Sequence, residues 1–93
     1  MARMVRIEDL VGSAAGGDEV AGFELAMCYA SGSGGVAVDL VQAHRWFNVA
    51  AACGYQAALD WRHEVAMEMS ARDVIEAQKL ARATLAGMFR KAA

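Results

Sequence analysis

Apolar residues recur at every third or fourth position along most of this chain, the spacing that lines one face of an α-helix. Two clusters of glycine, at residues 16–17 and 32–35, interrupt the pattern. The pattern predicts five helices, over residues 4–15, 19–31, 40–52, 56–69 and 71–90. No run alternates between apolar and polar residues as a half-buried β-strand does. We therefore predict an all-α fold of five short helices, built as a single domain over residues 1–93.

Polar residues mark where several of these helices should begin. Asp18 and Asp39 each precede an apolar periodic run, so we expect their carboxylates to accept hydrogen bonds from free backbone N–H groups. Ser70, with Asp73 three residues later, resembles a capping box in which Asp replaces the usual Glu or Gln. The predicted connections are short, and short connections favour antiparallel packing of consecutive helices.

The bulkiest side chains fall at the same helical spacing. Four aromatic residues do so: Tyr29, Trp46, Phe47 and Trp61. We predict that they fill the core, with an aromatic binding surface as the alternative, and no packing partner is evident for Trp61. Three methionines cluster on the last two predicted helices: Met67, Met69 and Met88. We predict that they fill gaps, with an adaptable binding surface as the alternative.

Composition and charge narrow the possible partners. Nine Lys and Arg residues oppose eleven Asp and Glu, for a formal net charge of -2. This balance argues against binding to nucleic acid or to an anionic membrane surface. No apolar run reaches the roughly 18 residues of a membrane-spanning helix, and Glu8 and Asp9 interrupt any signal-peptide core. We expect a cytoplasmic protein with reduced thiols.

Candidate catalytic and metal-binding motifs are incomplete. The pair His63–Glu64 begins like a zinc-protease helix, but Met67 stands where the second histidine is required. His44 is the other histidine in the chain. Residues 32–35 are glycine-rich but lack the Lys and Ser or Thr of a phosphate-binding loop, so they read as a turn. We predict no catalytic residues, no metal and no cofactor.

The two cysteines should remain unpaired. In an antiparallel helix pair Cys28 lies near the connecting loop and Cys53 near the far end. About ten helical residues at 1.5 Å each separate them by roughly 15 Å, beyond the roughly 7 Å between α-carbons that a disulfide spans. We expect both to be small core residues.

Residues 21–58 resemble a Sel1-like repeat, a relative of the tetratricopeptide repeat. The matching residues are Ala21, Leu25, Tyr29, Gly32, Gly34, Val36, Asp39, Ala43, Trp46, Phe47, Ala50, Ala51, Gly54 and Ala58. The resemblance implies an α/α superhelix in which alanine and glycine permit close helix crossing. Residues 4–15 then form an N-terminal flanking helix, and residues 56–90 form C-terminal capping helices. Gly35 is one residue more than the family loop contains.

Sel1-like proteins act mostly as adaptors, so the resemblance implies a non-enzymatic protein–protein interaction module in the bacterial cytoplasm. We expect a helical groove that binds a peptide or helix of another protein. Helical phase places Gln42, Arg45 and Asn48 as exposed contacts, with His44 at the rim. Repeats normally stack for stability. The alternative is therefore a structural homodimer whose open repeat faces pair with each other.

Overall fold

The computed structural model describes residues 6–92 and contains five α-helices, with no β-strand in that range. The helices are α1 (Ile7–Ala15), α2 (Glu19–Ser31), α3 (Leu40–Ala52), α4 (Ala57–Ala66) and α5 (Ala71–Ala92). The all-α prediction is confirmed. Met4, with which the first predicted helix began, lies outside the described residues.

Local signals at the helix ends behave as predicted. Asp18 and Asp39 each accept a hydrogen bond from the backbone N–H three residues later, at 3.0 and 3.1 Å. Ser70 accepts the N–H of Asp73 at 3.1 Å. Gly32 follows α2 in the left-handed conformation, with φ of 73°. Each such side-chain cap contributes about 1 kcal/mol to helix stability, because it satisfies an N–H that has no partner in the helix.

The predicted end of α4 at Met69 is wrong, because the helix ends at Ala66. The backbone N–H groups of Glu68 and Met69 bond to the carbonyls three residues back, at 3.0 and 3.1 Å. This tighter turn redirects the chain before Ser70 caps the next helix. The turn connects α4 to α5, which both pack on α3, and such long-range contacts are not visible in local periodicity.

Helix α3 occupies the centre of the fold. Helices α2, α4 and α5 all pack directly on it, while α1 packs mainly on α2. Its buried residues are Ala43, His44, Trp46, Phe47, Val49 and Ala50. These positions are spread around much of the helix circumference, so a single partner helix could not cover them.

Aromatic rings connect α3 to two of the helices that pack on it, α2 and α4. Phe47 is fully buried. Its ring centroid lies 5.7 Å from that of Phe23 on α2 and 6.3 Å from that of Trp61 on α4. Tyr55 extends the cluster by stacking on Phe23 at 4.5 Å. The core prediction is confirmed for Trp46 and Phe47.

Small residues bring α2 and α3 into close contact. A β-carbon on Gly22 would lie 3.3 Å from the β-carbon of Ala50, so glycine permits this approach. The buried members of the repeat-like set are Ala21, Leu25, Ala43, Trp46, Phe47, Ala50 and Ala58. The helical hairpin predicted within residues 21–58 is therefore present, as α2 and α3.

We expect Phe47→Ala to lower the free energy of unfolding by about 3–5 kcal/mol, because it leaves a cavity between three helices. Phe89→Ala is the matched control. Phe89 is 74% exposed, and its loss should change stability by no more than about 0.5 kcal/mol. Urea denaturation of the two variants measures both values. Equal losses would contradict the central role of Phe47.

Candidate functional site

Three of the four predicted partner-binding residues, Gln42, Arg45 and Asn48, are half-buried and engaged in hydrogen bonds inside the protein. The Arg45 guanidinium donates from Nε and Nη2 to Thr84 Oγ1 at 3.3 and 3.0 Å, and from Nη1 to Gln42 Oε1 at 3.0 Å. It also lies 4.5 Å from the centroid of the Trp46 ring. Burial lowers the pKa of Arg45, although an arginine stays charged at neutral pH.

Asn48 is held in a similar way. Its Oδ1 accepts a hydrogen bond from Nη1 of Arg62 on α4 at 2.6 Å. The predicted residues therefore divide between two sides of α3, with Gln42 and Arg45 toward α5 and Asn48 toward α4. Whether any of them also contacts a partner remains a prediction.

The expectation that His44 lies at an exposed rim is wrong. Its side chain is only 3% exposed, because α3 is covered on more than one side. The Nδ1 atom has no hydrogen-bond partner. Burial lowers the pKa of His44, and the positive charge of Arg62 lowers it further. His44 is therefore a neutral core residue at pH 7 and is not available to a partner.

One groove, which we call the α5 groove, lies between α1, α3 and α5 and has a volume of about 580 Å³. Val11 of α1 and Gly87 of α5 are among the residues on its two sides. Gln42, Arg45 and Trp46 line it from α3. Two of the four predicted contact residues thus reach this groove.

A second groove, the α4 groove, lies between α2, α3 and α4 and has a volume of about 320 Å³. Met27 of α2 and Leu40 of α3 form part of its apolar wall. Trp61, Glu64 and Glu68 line its other side. The groove therefore combines an apolar wall with an aromatic ring and two carboxylates.

Trp61 is the main departure from the predicted aromatic core. Its indole stacks on Phe47 with 17° between the ring planes, yet 44% of the residue is exposed. The core prediction is wrong for this residue, since α4 covers α3 without being covered itself.

Sequence reasoning did not single out Glu68 or the groove role of Glu64. Glu64 lies three residues after Trp61 on the same face of α4, a spacing that could have revealed it, whereas Glu68 reaches the groove from the turn after Ala66.

The cysteines are unpaired and half-buried. Burial raises the pKa of Cys53, and the negative charge of Glu19 raises it further. A thiol with a raised pKa is a poor nucleophile at neutral pH because the thiolate is the reactive form. Cys53 lies 4.0 Å from the sulfur of Met88 and acts as a packing residue.

The glycine-rich loop is a turn, as the sequence predicted. Gly32, Gly34 and Gly35 have φ values of 73°, 69° and 89°, a region that side chains disfavour. A β-carbon on Gly34 would also lie only 3.0 Å from the Cys28 sulfur. The extra Gly35 is thus accommodated by backbone conformations that glycine adopts freely.

The methionines divide between the two predicted roles. Met69 and Met88 pack against the core, which confirms gap-filling for these two residues. Met67 is 69% exposed, so the gap-filling prediction is wrong for it. The turn after Ala66 carries Met67 out of the α4 helix and away from the core.

Two kinds of feature are absent from residues 6–92. No group of three His, Cys, Asp or Glu side chains in that range could hold a metal ion. None of the helices in the same range combines the length and the apolar character needed to cross a membrane.

Comparison with known proteins gives no assignment, because no protein-family model and no curated protein matches the chain. We therefore base the function on the two grooves and on the repeat-like residues 21–58.

We expect the free energy of unfolding to fall as the pH drops below about 6.5, the ordinary histidine pKa. The unfolded chain takes up a proton on His44 there, while the folded chain resists it, so protonation favours unfolding. His44→Leu should flatten this part of the pH profile. Urea denaturation from about pH 7.5 to about pH 5 measures it.

The exposed His63 provides the control for this experiment. His63→Leu removes an imidazole that the fold does not enclose, so it separates the effect of burial at His44 from the loss of a histidine. A profile that remains steep in His44→Leu would show that another group causes the dependence.

Proposed function

We propose that this protein is a non-enzymatic interaction module of the Sel1-like repeat kind. In this proposal its α4 groove binds a partner protein through a segment that carries an apolar anchor beside Lys or Arg. The observation that carries the proposal is the half-exposed indole of Trp61, which lies next to Glu64 and Glu68 in a preformed groove.

The apolar part of the groove supports binding of a hydrophobic side chain. Stacking on Phe47 holds the Trp61 ring in place, so little conformational entropy is lost when its open face is covered. Rigid aromatic residues that become desolvated contribute most of the energy in many interfaces. Met27 on the opposite wall has a flexible side chain that adapts to the shape of an incoming group.

The charged part of the groove supports selection of a basic segment. Glu64 of α4 and Glu68 of the turn that follows α4 are both exposed, and both line the groove. A Lys or Arg that pairs with them also passes close to the indole face, where a cation is attracted. Because these carboxylates are exposed, they contribute more to selectivity and association rate than to affinity.

The surroundings of the titratable groups support a non-enzymatic role. His44 is enclosed and neutral, and Cys53 is held as a thiol. Neither group is arranged as a general base or an activated nucleophile. Two free half-buried thiols also fit a reducing compartment such as the cytoplasm, which forms part of the proposal.

The adaptor role also rests on the resemblance of residues 21–58. That stretch forms two closely packed helices, α2 and α3, joined by a glycine turn. The helix that follows supplies Trp61. A groove between alternate helices of a repeat array is a surface suited to an extended or helical peptide.

Selection from a random displayed-peptide library tests the proposal. We expect enriched peptides to carry an aromatic or long aliphatic residue within three or four positions of Lys or Arg. Trp61→Ala should weaken binding of an enriched peptide about tenfold or more, as expected for an interface anchor. Trp61→Phe, which keeps an aromatic ring over Phe47, should lose much less.

The charge contribution is tested with the double variant Glu64→Gln/Glu68→Gln. It should weaken binding at about 50 mM salt and have a much smaller effect at about 300 mM salt, where exposed charges are screened. Asp9→Asn/Glu76→Gln removes the same charge at exposed sites outside the α4 groove and should have no effect. Enrichment of acidic peptides would contradict the proposal, and so would peptide binding that is unchanged in Trp61→Ala.

A further inference from the structure

Two glycines lie within the helices that flank the α5 groove, and no close contact inside the chain requires either of them to be glycine. Gly87 lies within α5 and lines the groove, and a β-carbon there would meet no atom within 4 Å. Gly12 of α1 follows the groove residue Val11, and its surroundings are equally empty. Glycine destabilises a helix relative to alanine, and neither position has the positive φ that requires it. The missing side chain at Gly87 does allow another helix to approach α5 closely at the groove.

The two borders of the α5 groove carry opposite charges. Glu8 of α1 is exposed and lies three residues before Val11, on the same helix face. On α5, Lys79 lies four residues before the groove residue Ala83, and Arg90 lies three residues after Gly87. Both of these basic side chains are exposed. The α1 border is therefore weakly acidic, since the Arg6 guanidinium lies 3.9 Å from the Glu8 carboxylate, and the α5 border beyond Glu76 is basic.

A surface with one acidic and one basic border is complementary to a second copy of itself. When a twofold axis runs along the groove, the α1 border of each copy faces the α5 border of the other. Such an interface buries the same patch twice, as in most homodimers. The arrangement also sets the helix containing Gly12 against the helix containing Gly87.

The polar side chains that line the groove keep their hydrogen bonds within the chain when a second copy covers them. Arg45 already donates to Thr84 and Gln42, so association does not leave its guanidinium without hydrogen-bond partners. Asp39 already accepts the backbone N–H of Gln42. The Arg6–Glu8 contact is exposed and long, at 3.9 Å, so it competes weakly with a new partner for Glu8.

We propose that the α5 groove is a homodimer interface in which α1 of each copy packs on α5 of the other. The occupant is a second copy because both halves of the charge complementarity belong to this chain. The α4 groove lies on the other side of α3 and stays open for a foreign segment.

Sedimentation of the full chain from about 1 to about 200 µM tests the proposal, because dimerisation depends on concentration. We expect a concentration-dependent dimer. Gly87→Leu should raise its dissociation constant about 100-fold or more, since the new side chain blocks close approach. Gln78→Leu places the same side chain on an exposed α5 position that does not line the groove and should dimerise normally.

The glycine variant is suited to this test because it should not unfold the monomer. Leucine is a strong helix former, and the structure offers open space at residue 87. Thermal unfolding at low protein concentration should therefore show Gly87→Leu to be at least as stable as the native monomer. A dimer that persists in a folded Gly87→Leu variant would overturn the proposal.

Charge reversal tests the pairing directly. Glu8→Arg and Arg90→Glu should each weaken the dimer about tenfold, and the double variant should recover most of that loss. A double variant that is weaker than either single one would overturn the proposed pairing. A chain that stays monomeric throughout the concentration range would overturn the dimer but leave peptide binding at Trp61 untouched, so the two proposals fail separately.

Discussion

Helix α3 is stable only if it is covered on most of its circumference, and the placement of the other helices follows from this. Burial of apolar surface contributes roughly 25 cal/mol per Å², and the buried side chains of α3 point in several directions. Helix α2 covers one side through small residues at Gly22 and Ala50. Helices α4 and α5 cover the remainder, with Phe47 at the centre of the packing.

Both grooves open between helices that pack on different neighbours or on different sides of α3. Helices α2 and α4 cover different sides of α3, whereas α1 packs mainly on α2 and α5 packs on α3. Where α2 and α4 diverge, the opening contains Trp61, Glu64 and Glu68. Where α1 and α5 diverge, it contains Val11, Arg45 and Gly87. The two surfaces differ in chemistry because different helix faces border them.

Local signals explain why the sequence predicts some elements well. The bounds of α2 and α3 agree with the structure because Asp18 and Asp39 cap their own neighbouring backbone, and Gly32 adopts a conformation open mainly to glycine. The end of α4 was misplaced because a turn through residues 67–69 interrupts a pattern that still looks helical. The turn lies between two helices that both pack on α3, and the contacts that position them join residues far apart in sequence.

The sequence by itself determined an all-α chain, most of its helix ends, the glycine turn and a core that includes Trp46 and Phe47. These follow from hydrogen bonds and dihedral preferences within a few residues. Only the tertiary structure decided that His44 is buried, that Arg45 and Asn48 are engaged internally and that Trp61 is half-exposed. The physical reason is that helical phase shows which residues share a face, whereas packing against other helices decides whether that face is covered.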